Sequence, residues 1–346
     1  MSHPAPRESS VVMFTPSSRG LHRRKVRPSL SVLFPLLFIL GFTQSLAIEG
    51  PPDKQEAQAK IAVSVNLVLI PASVTDAKGA FVSGLKADEF RVLEEGQQQE
   101  LTVFEVGDAP VTVGLVVDHS RSMGSKLPKV AAAVNSFAHT SNLQDEMFIV
   151  DFNDDVSIEL MKGKAFTSDP KELAEALGAV AARGRTALYD AISEGLHHLQ
   201  YGHWQKKALI IISDGGDNAS RLKYSQVLAA ARQSQALIYS IALVGSDNVE
   251  ENPGLLRRLC KDTGGIAYFP REGESVESVS KEIARDLREQ YTLGYIPQGI
   301  KRTDAFRKIE VRVTAPGHGK LHVRTRQGYS PMAAKLPLSQ MEMGAK

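Results

Sequence analysis

Four short runs of the chain are apolar almost throughout, and they restrict the possible folds more than any other feature. The runs are residues 113–117, 147–150, 208–212 and 236–241. Strands without polar positions are buried on both faces, as in a parallel sheet covered by helices. Amphipathic segments of helical period lie between the runs, and one of them has the apolar stripe Leu188, Ile192, Leu196 and Leu199. We therefore predict an α/β fold over residues 109–288, with an open, mostly parallel sheet and helices on both faces.

Both flanks of this region have the period-two pattern of strands. The apolar positions are Val63, Val65, Leu67 and Leu69 on the N-terminal side and Ile309, Val311 and Val313 on the C-terminal side. Neither flank is long enough to bury a good core by itself. We therefore predict that residues 61–108 and 289–331 pack together into a smaller β-sandwich-like domain, with the α/β domain inserted between them.

Residues 1–47 have the features of an export signal. A basic stretch at residues 23–27 precedes an apolar run from Leu30 to Phe42, and small residues stand before a cut after Ala47. The apolar run is shorter than the roughly 20 residues that cross a bilayer as a helix, and an uncleaved anchor is the alternative. We predict a signal peptide (1–47), a linker (48–60) and a C-terminal tail (332–346). The chain is then exported to the periplasm, the cell surface or the medium.

The formal net charge of +2 says little about partners, because the excess of Lys and Arg lies in the leader. The remainder of the chain has slightly more acidic than basic residues, which predicts no nucleic-acid partner. Contact with a membrane is expected only through the leader, if it is uncleaved. The single cysteine, Cys260, excludes an intramolecular disulfide, and the apolar helical stripe around it predicts that it is buried.

Oxygen-bearing side chains follow the predicted strands at the edge where open α/β sheets bind ligands. Asp118, Ser120 and Ser122 come after the first apolar run, and Asp214 comes after the third. Thr186 precedes a predicted helix, which we expect it to cap. These hard oxygen ligands favour Mg²⁺ or Mn²⁺, with Ca²⁺ also possible, over zinc or copper. They leave the ion incompletely satisfied, so it would retain waters or accept one further oxygen from outside, such as that of a carboxylate on another molecule.

The pattern Asp118-x-Ser120-x-Ser122, then Thr186, then Asp214 in Asp-Gly-Gly-Asp resembles the metal-ion-dependent adhesion site of the von Willebrand factor type A domain. The resemblance covers about residues 110–285. It implies that these five residues hold the metal, and that the chain binds a protein or another acidic ligand without catalysing a reaction.

Further segments resemble an exported group of related proteins that is common in acidobacteria. They are residues 74–79, 90–96, 290–295 and 326–329. Two positions depart from the family pattern, because Arg121 and Arg185 stand where glycine is usual. With Asp217 they are candidates for the rim of the ligand site, although exposed arginines are often merely solvated.

Several other interpretations start from the same residues. The aspartates are also common as turn residues at strand ends. A Mg²⁺ phosphatase of the haloacid dehalogenase kind needs a second Asp two positions after the first, where this chain has Ser120. A metal with a purely structural role in an envelope assembly protein is a third possibility. His119 adjoins Asp118, but neighbouring strand-end residues point to different sides. We therefore expect His119 at the surface, without a Ser–His–Asp relay.

Overall fold

The computed structural model describes residues 67–160, 163–178, 181–244, 252–271, 273–298 and 305–331. The predicted signal peptide, linker and tail lie outside the described residues. The helices are α1 (Leu127–Thr140), α2 (Pro170–Leu177), α3 (Leu188–His198), α4 (Tyr224–Ser234), α5 (Pro253–Thr263) and α6 (Val276–Arg288). The strands are β1 (Val68–Thr75), β2 (Phe90–Glu94), β3 (Gln97–Gln99), β4 (Leu101–Val106), β5 (Thr112–Asp118), β6 (Glu146–Phe152), β7 (Val156–Glu159), β8 (Lys207–Ser213), β9 (Leu237–Ala242), β10 (Ala267–Tyr268), β11 (Tyr291–Tyr295), β12 (Arg307–Val313), β13 (His322–Arg324) and β14 (Gly328–Tyr329). Within these ranges, no helix has both the length and the apolar character needed to cross a membrane.

The central sheet has six strands in the order β10-β9-β8-β5-β6-β7. Every neighbouring pair is parallel except β6 and β7, which run antiparallel. All residues of β5 are buried, as are all but the first residue of β8. This burial on both faces explains why the sequence of these strands does not alternate. The predicted open, mostly parallel sheet is confirmed.

Helices cover both faces of this sheet. The side chains of α1, α2 and α6 share one buried apolar cluster with the sheet, for example Phe137, Leu173 and Ile283. The side chains of α3, α4 and α5 form a second cluster with the opposite face, and Cys260 lies in it, fully buried as predicted. The α/β domain therefore has two separate cores, one on each side of the sheet.

The two flanks form a pair of antiparallel sheets. One has the strand order β13-β1-β11-β4 and the other the order β14-β12-β2-β3. Each sheet combines strands that precede the α/β domain with strands that follow it; for example, Ile70 of β1 lies opposite Leu293 of β11. A shared core that includes Ile70, Val92, Leu293 and Ile309 joins the two sheets. The predicted sandwich of N- and C-terminal flanks is thus present.

The even-numbered residues of β1 face the core of the sandwich. They are Val68, Ile70, Ala72 and Val74. Leu67 is 38% exposed, and Leu69 lines a cavity of about 280 Å³ beside Trp204 of the α/β domain. Leu69 and Ile70 are both apolar, so period two at the start of the strand does not decide which face of β1 packs into the sandwich core.

A buried ionic cluster connects the sandwich to the α/β domain. Asp286 of α6 is 1% exposed and accepts hydrogen bonds from the hydroxyls of Ser73 and Tyr239, each at 2.7 Å. Arg324 of β13 donates to both carboxylate oxygens, at 2.6 Å to Oδ1. One carboxylate thereby joins β1, β9, α6 and β13.

Candidate metal site

The two candidate aspartates lie at the same edge of the central sheet. Asp118 is the last residue of β5, and Asp214 directly follows β8. The strands are parallel neighbours, with Val117 opposite Ile212, so their carboxyl ends meet. Asp118 is fully buried and Asp214 is 1% exposed. Two buried carboxylates therefore face one small region, as the strand-end rule predicts.

Asp118 organises the first loop of the site. Its Oδ1 accepts a hydrogen bond from the backbone N–H of Ser120 at 2.8 Å, and its Oδ2 accepts one from the Ser213 hydroxyl at 2.6 Å. The hydroxyl oxygens of Ser120 and Ser122 are 3.1 Å apart. Asp118, Ser120 and Ser122 thus belong to one hydrogen-bonded cluster.

Asp214 belongs to the same region but has different partners. Its Oδ2 accepts a hydrogen bond from the ammonium group of Lys126 at 3.2 Å, and its Oδ1 accepts one from the backbone N–H of Gly216 at 3.3 Å. Its charge also contributes to the raised pKa of Asp118, which places the two carboxylates in each other's field.

The segment that carries Thr186 is bonded to the loop of Asp118. The backbone N–H of Arg183 donates to the carbonyl of His119 at 2.9 Å, and that of Arg121 donates to the carbonyl of Gly184 at 3.3 Å. Gly184 has a φ of +73°, and a Cβ there would lie 1.8 Å from a carboxylate oxygen of Asp154. This left-handed φ favours glycine at the turn, which packs closely against Asp154 in the loop after β6.

Thr186 itself links the second loop to the third. Its backbone N–H donates to Asn218 Oδ1 at 2.9 Å, and its carbonyl accepts from the N–H of Asn218 at 2.9 Å and from that of Ala219 at 3.0 Å. Thr186 is 5% exposed. The three loops that carry the five predicted metal ligands are therefore mutually hydrogen-bonded.

The expectation that Thr186 caps the following helix is wrong. The N-cap of α3 is Ala187, which makes no side-chain capping bond. The free N–H of Tyr189 is instead satisfied by Asp217 Oδ1 at 3.1 Å and by the Ser220 hydroxyl at 3.0 Å. These groups come from the loop after β8, so a tertiary contact replaces the local cap.

The predicted rim residues have distinct surroundings. Arg185 is exposed and pairs with Asp154, with 2.9 Å between its Nε and Oδ1. Arg121 is exposed and makes no ion pair within the described ranges. Asp217 is directed to the start of α3 by its contacts with Tyr189 and Ser220. Of the three, Arg121 is the residue left accessible for a partner's charge.

His119 is not at the surface, contrary to expectation. It is 3% exposed, and its Nδ1 contacts Asp151 Oδ1 on the neighbouring strand β6. The backbone beyond β5 turns this side chain across to β6 instead of into solvent. Within the described part of the chain, its ring makes no hydrogen bond to the hydroxyl of Ser120 or Ser122. The geometry of a Ser–His–Asp relay is therefore not present there.

The donor set fits a hard divalent cation. No group of three or more His, Cys, Asp or Glu side chains that could hold a metal occurs among the described residues. A metal at this edge would therefore depend on the hydroxyls of Ser120, Ser122 and Thr186 as well as on two carboxylates. Oxygen atoms of this kind are preferred by Mg²⁺, Mn²⁺ and Ca²⁺.

Without a cation, the buried charge of Asp118 destabilises the fold, and the stability of the fold therefore depends on pH. Burial raises the pKa of Asp118 to about 6, while hydrogen bonds from Ser120 and Ser213 partly oppose the rise. Between roughly pH 4 and 6, the folded chain holds a proton that the unfolded chain has lost. In chelator, this group therefore lowers the free energy of unfolding as pH rises through that window, and its contribution is constant above it.

We expect the stability of wild type minus that of Asp118→Asn to fall by up to about 3 kcal/mol between pH 4 and 7 in chelator. Denaturant unfolding of both proteins at several pH values measures this difference, in which the other titrating groups cancel. A difference that is flat over the window would contradict the raised pKa.

Two contacts of the site were not predicted from the sequence. Ser213 bonds Asp118 across the strand pair, and it could have been noticed as the strand-end neighbour of Asp214. Lys126 reaches Asp214 from 88 positions earlier in the chain. No spacing rule indicates that contact, because a long flexible side chain can reach many positions.

The α/β part of the chain matches a known domain family. The family description of the von Willebrand factor type A domain matches residues 112–282, whereas no curated protein matches the chain. An aerotolerance-related membrane protein from Bacteroides fragilis is 18% identical, with a TM-score of 0.41 over 51% of this chain and 98% of that one. A von Willebrand factor type A structure from Catenulispora acidiphila is 12% identical, with a TM-score of 0.46 over 75% and 74%. The pilus adhesin SpaC from Lactobacillus rhamnosus GG is 13% identical, with a TM-score of 0.42 over 74% and 49%. Residues 112–282 of this chain are therefore a von Willebrand factor type A domain.

Proposed function

We propose that this chain is an exported binding or adhesion protein that grips an acidic group of its partner through a divalent cation. The cation is Mg²⁺ or Mn²⁺, with Ca²⁺ possible, and its ligands are Asp118, Ser120, Ser122, Thr186 and Asp214. One observation carries this proposal: two carboxylates are buried side by side at the ligand-binding edge of the sheet, beside a pair of hydroxyls.

The chain's own residues supply charge and position. Asp118 and Asp214 together match the charge of a divalent ion, and the hydroxyls are neutral donors that add no further charge. The hydrogen bonds among the three loops hold these groups in place before an ion arrives. When bound, the ion supplies a Lewis-acidic position that can accept an oxygen from outside.

The side chains near that position support binding without catalysis. A phosphatase needs a general acid two positions after Asp118, and Ser120 does not titrate near neutral pH. His119 is engaged with Asp151, and the described residues do not join it to a nucleophilic hydroxyl. We therefore propose that the protein is not an enzyme.

The charge at the rim supports an acidic partner. Arg121 lies on the loop that also carries Ser120 and Ser122, and its side chain is exposed. A partner that places one carboxylate on the ion could place another acidic group near this guanidinium. The partner is then a protein or another ligand with acidic groups, and no role for nucleic acid is proposed.

We also propose the domain organisation and location predicted above. The leader (1–47) directs export and is the only part that would touch a membrane, and a linker (48–60) follows it. The sandwich (61–108 and 289–331) carries the von Willebrand factor type A domain (109–288), and residues 332–346 form a tail. The periplasm, the cell surface and the medium are all compatible with this arrangement.

An accessible ion can be distinguished from a buried structural one with Mn²⁺ as the probe. We expect water-proton relaxation to be enhanced when the full chain binds Mn²⁺, because the ion keeps exchangeable waters. Glutarate at saturating concentration should lower that enhancement, and the uncharged glutaramide should not. Bound Mn²⁺ with a relaxation rate that glutarate leaves unchanged would instead indicate a metal with a structural role.

A further inference from the structure

The candidate metal site already contains a cation of the chain's own. Lys126 lies at the end of the 3-10 turn Arg121–Lys126, directly before α1. Its side chain is only 16% exposed, and that of Asp214 is 2% exposed. The ammonium nitrogen lies 3.2 Å from Asp214 Oδ2, which is a charge-assisted hydrogen bond.

The surroundings explain why a cation is held there. Asp118 and Asp214 are both buried at one sheet edge, and a buried carboxylate without a partner strongly destabilises a fold. Asp118 is satisfied by hydroxyl and backbone donors, which are neutral. Asp214 is the carboxylate that receives a full positive charge, and this charge comes from Lys126.

We propose that Lys126 is a built-in competitor of the divalent cation. It neutralises Asp214 while the site holds no metal, and it must move away from Asp214 when the metal binds. This inference rests on the proposed function and deepens it, because it states what sets the affinity of the site.

The chemistry of lysine fits a competitor and does not fit a ligand. An ammonium group has three donors and no acceptor, so it cannot coordinate a metal ion. Two cations on one carboxylate repel each other strongly in a poorly solvated site. The flexible stem of lysine lets the charged group move while the backbone stays in place at the start of α1.

The consequence is a site of reduced affinity. The free energy of metal binding includes the loss of the Lys126–Asp214 pair, so the site fills at a higher cation concentration than its five oxygen ligands alone would require. A partner would then be gripped only where the cation is plentiful. If Lys126 instead positioned Asp214 for the metal, its removal would weaken binding, so the sign of the effect separates the two roles.

The test compares Mn²⁺ binding to the full chain in the wild type, Lys126→Met and Lys129→Met. Methionine keeps the length of the stem without the charge, and Lys129 is an exposed lysine on α1 that serves as the matched control. By calorimetry, we expect Lys126→Met to bind Mn²⁺ about tenfold more tightly or better, and Lys129→Met to stay within about twofold of wild type. In chelator, Lys126→Met should melt at a lower temperature than wild type, and Mn²⁺ should reverse the order.

A second variant covers the case in which Lys126→Met does not fold. Lys126→Gln can still donate a hydrogen bond to Asp214 without a charge, and it should bind Mn²⁺ more tightly than wild type. Equal or weaker binding by the neutral variants, with binding intact in wild type, would overturn the competitor role and leave the proposed function standing. If well-folded wild type and Lys126 variants all fail to bind Mn²⁺, both proposals are overturned.

Discussion

Asp118→Asn is expected to abolish Mn²⁺ binding and, in chelator at pH 7.5, to raise the free energy of unfolding by up to about 3 kcal/mol. The carboxylate is fully buried, and burial raises its pKa to about 6, so its charge at pH 7.5 destabilises the metal-free fold. Asparagine has a similar shape: its oxygen can accept from the Ser120 N–H, and its amide can donate to the Ser213 hydroxyl. Denaturant unfolding in chelator, followed by thermal melts with added Mn²⁺, measures both effects.

Asp155→Asn is the matched control, because Asp155 is an exposed aspartate near the same edge of the sheet. We expect it to leave Mn²⁺ binding unchanged and to alter stability by less than about 0.5 kcal/mol. A variant Asp118→Asn that is clearly less stable than wild type in chelator, or whose melting temperature Mn²⁺ still raises, would contradict these expectations. A gain in stability from losing a functional charge would show that the site is maintained at the expense of the fold.

Arg324→Met is expected to lower the free energy of unfolding by about 3–5 kcal/mol. This substitution leaves the Asp286 carboxylate, which is 1% exposed, with only the hydroxyls of Ser73 and Tyr239 among the partners described above. A buried charge that loses its counter-ion is among the most destabilising single changes. Because this cluster joins the sandwich to α6 and β9, the loss should affect both domains together. Urea unfolding followed by circular dichroism and by tyrosine fluorescence measures the size of the loss and its cooperativity.

Two further variants test the cause. Arg312→Met removes an exposed arginine that pairs with Glu310 on a single strand, and it should leave stability almost unchanged because exposed ion pairs contribute little. The double variant Asp286→Asn with Arg324→Met removes both charges of the pair and should recover part of the loss. A loss in Arg324→Met no larger than that in Arg312→Met would mean that the cluster does not hold the two domains together.

The central fold could be predicted from the sequence because its strands are uniformly apolar. Residues of β5 and β8 are apolar on both faces, and only a sheet covered on both sides accommodates such strands. The two aspartates were found by the same reasoning, since parallel strands bring their carboxyl ends to one edge. Both inferences depend on the direction and the burial of single strands, and the local pattern of apolar residues indicates both.

The features that were wrong or missed depend on contacts between distant segments. The core face of β1 was not predicted, because Leu69 and Ile70 are equally apolar and only the packing of the sandwich assigns Ile70 to the core. Thr186 was expected to cap α3, but Asp217 and Ser220 take that role from the next loop. In each case several residues suit the role locally, and tertiary packing decides among them.

Binding of a divalent cation at the proposed site is tested most directly by calorimetric titration of the full chain with Mn²⁺ at pH 7.5, with Asp118→Asn titrated alongside. We predict one saturable site per chain in wild type and none in the folded variant. Wild-type protein that is well folded and takes up no Mn²⁺, or an equal heat of binding in both proteins, would contradict this prediction.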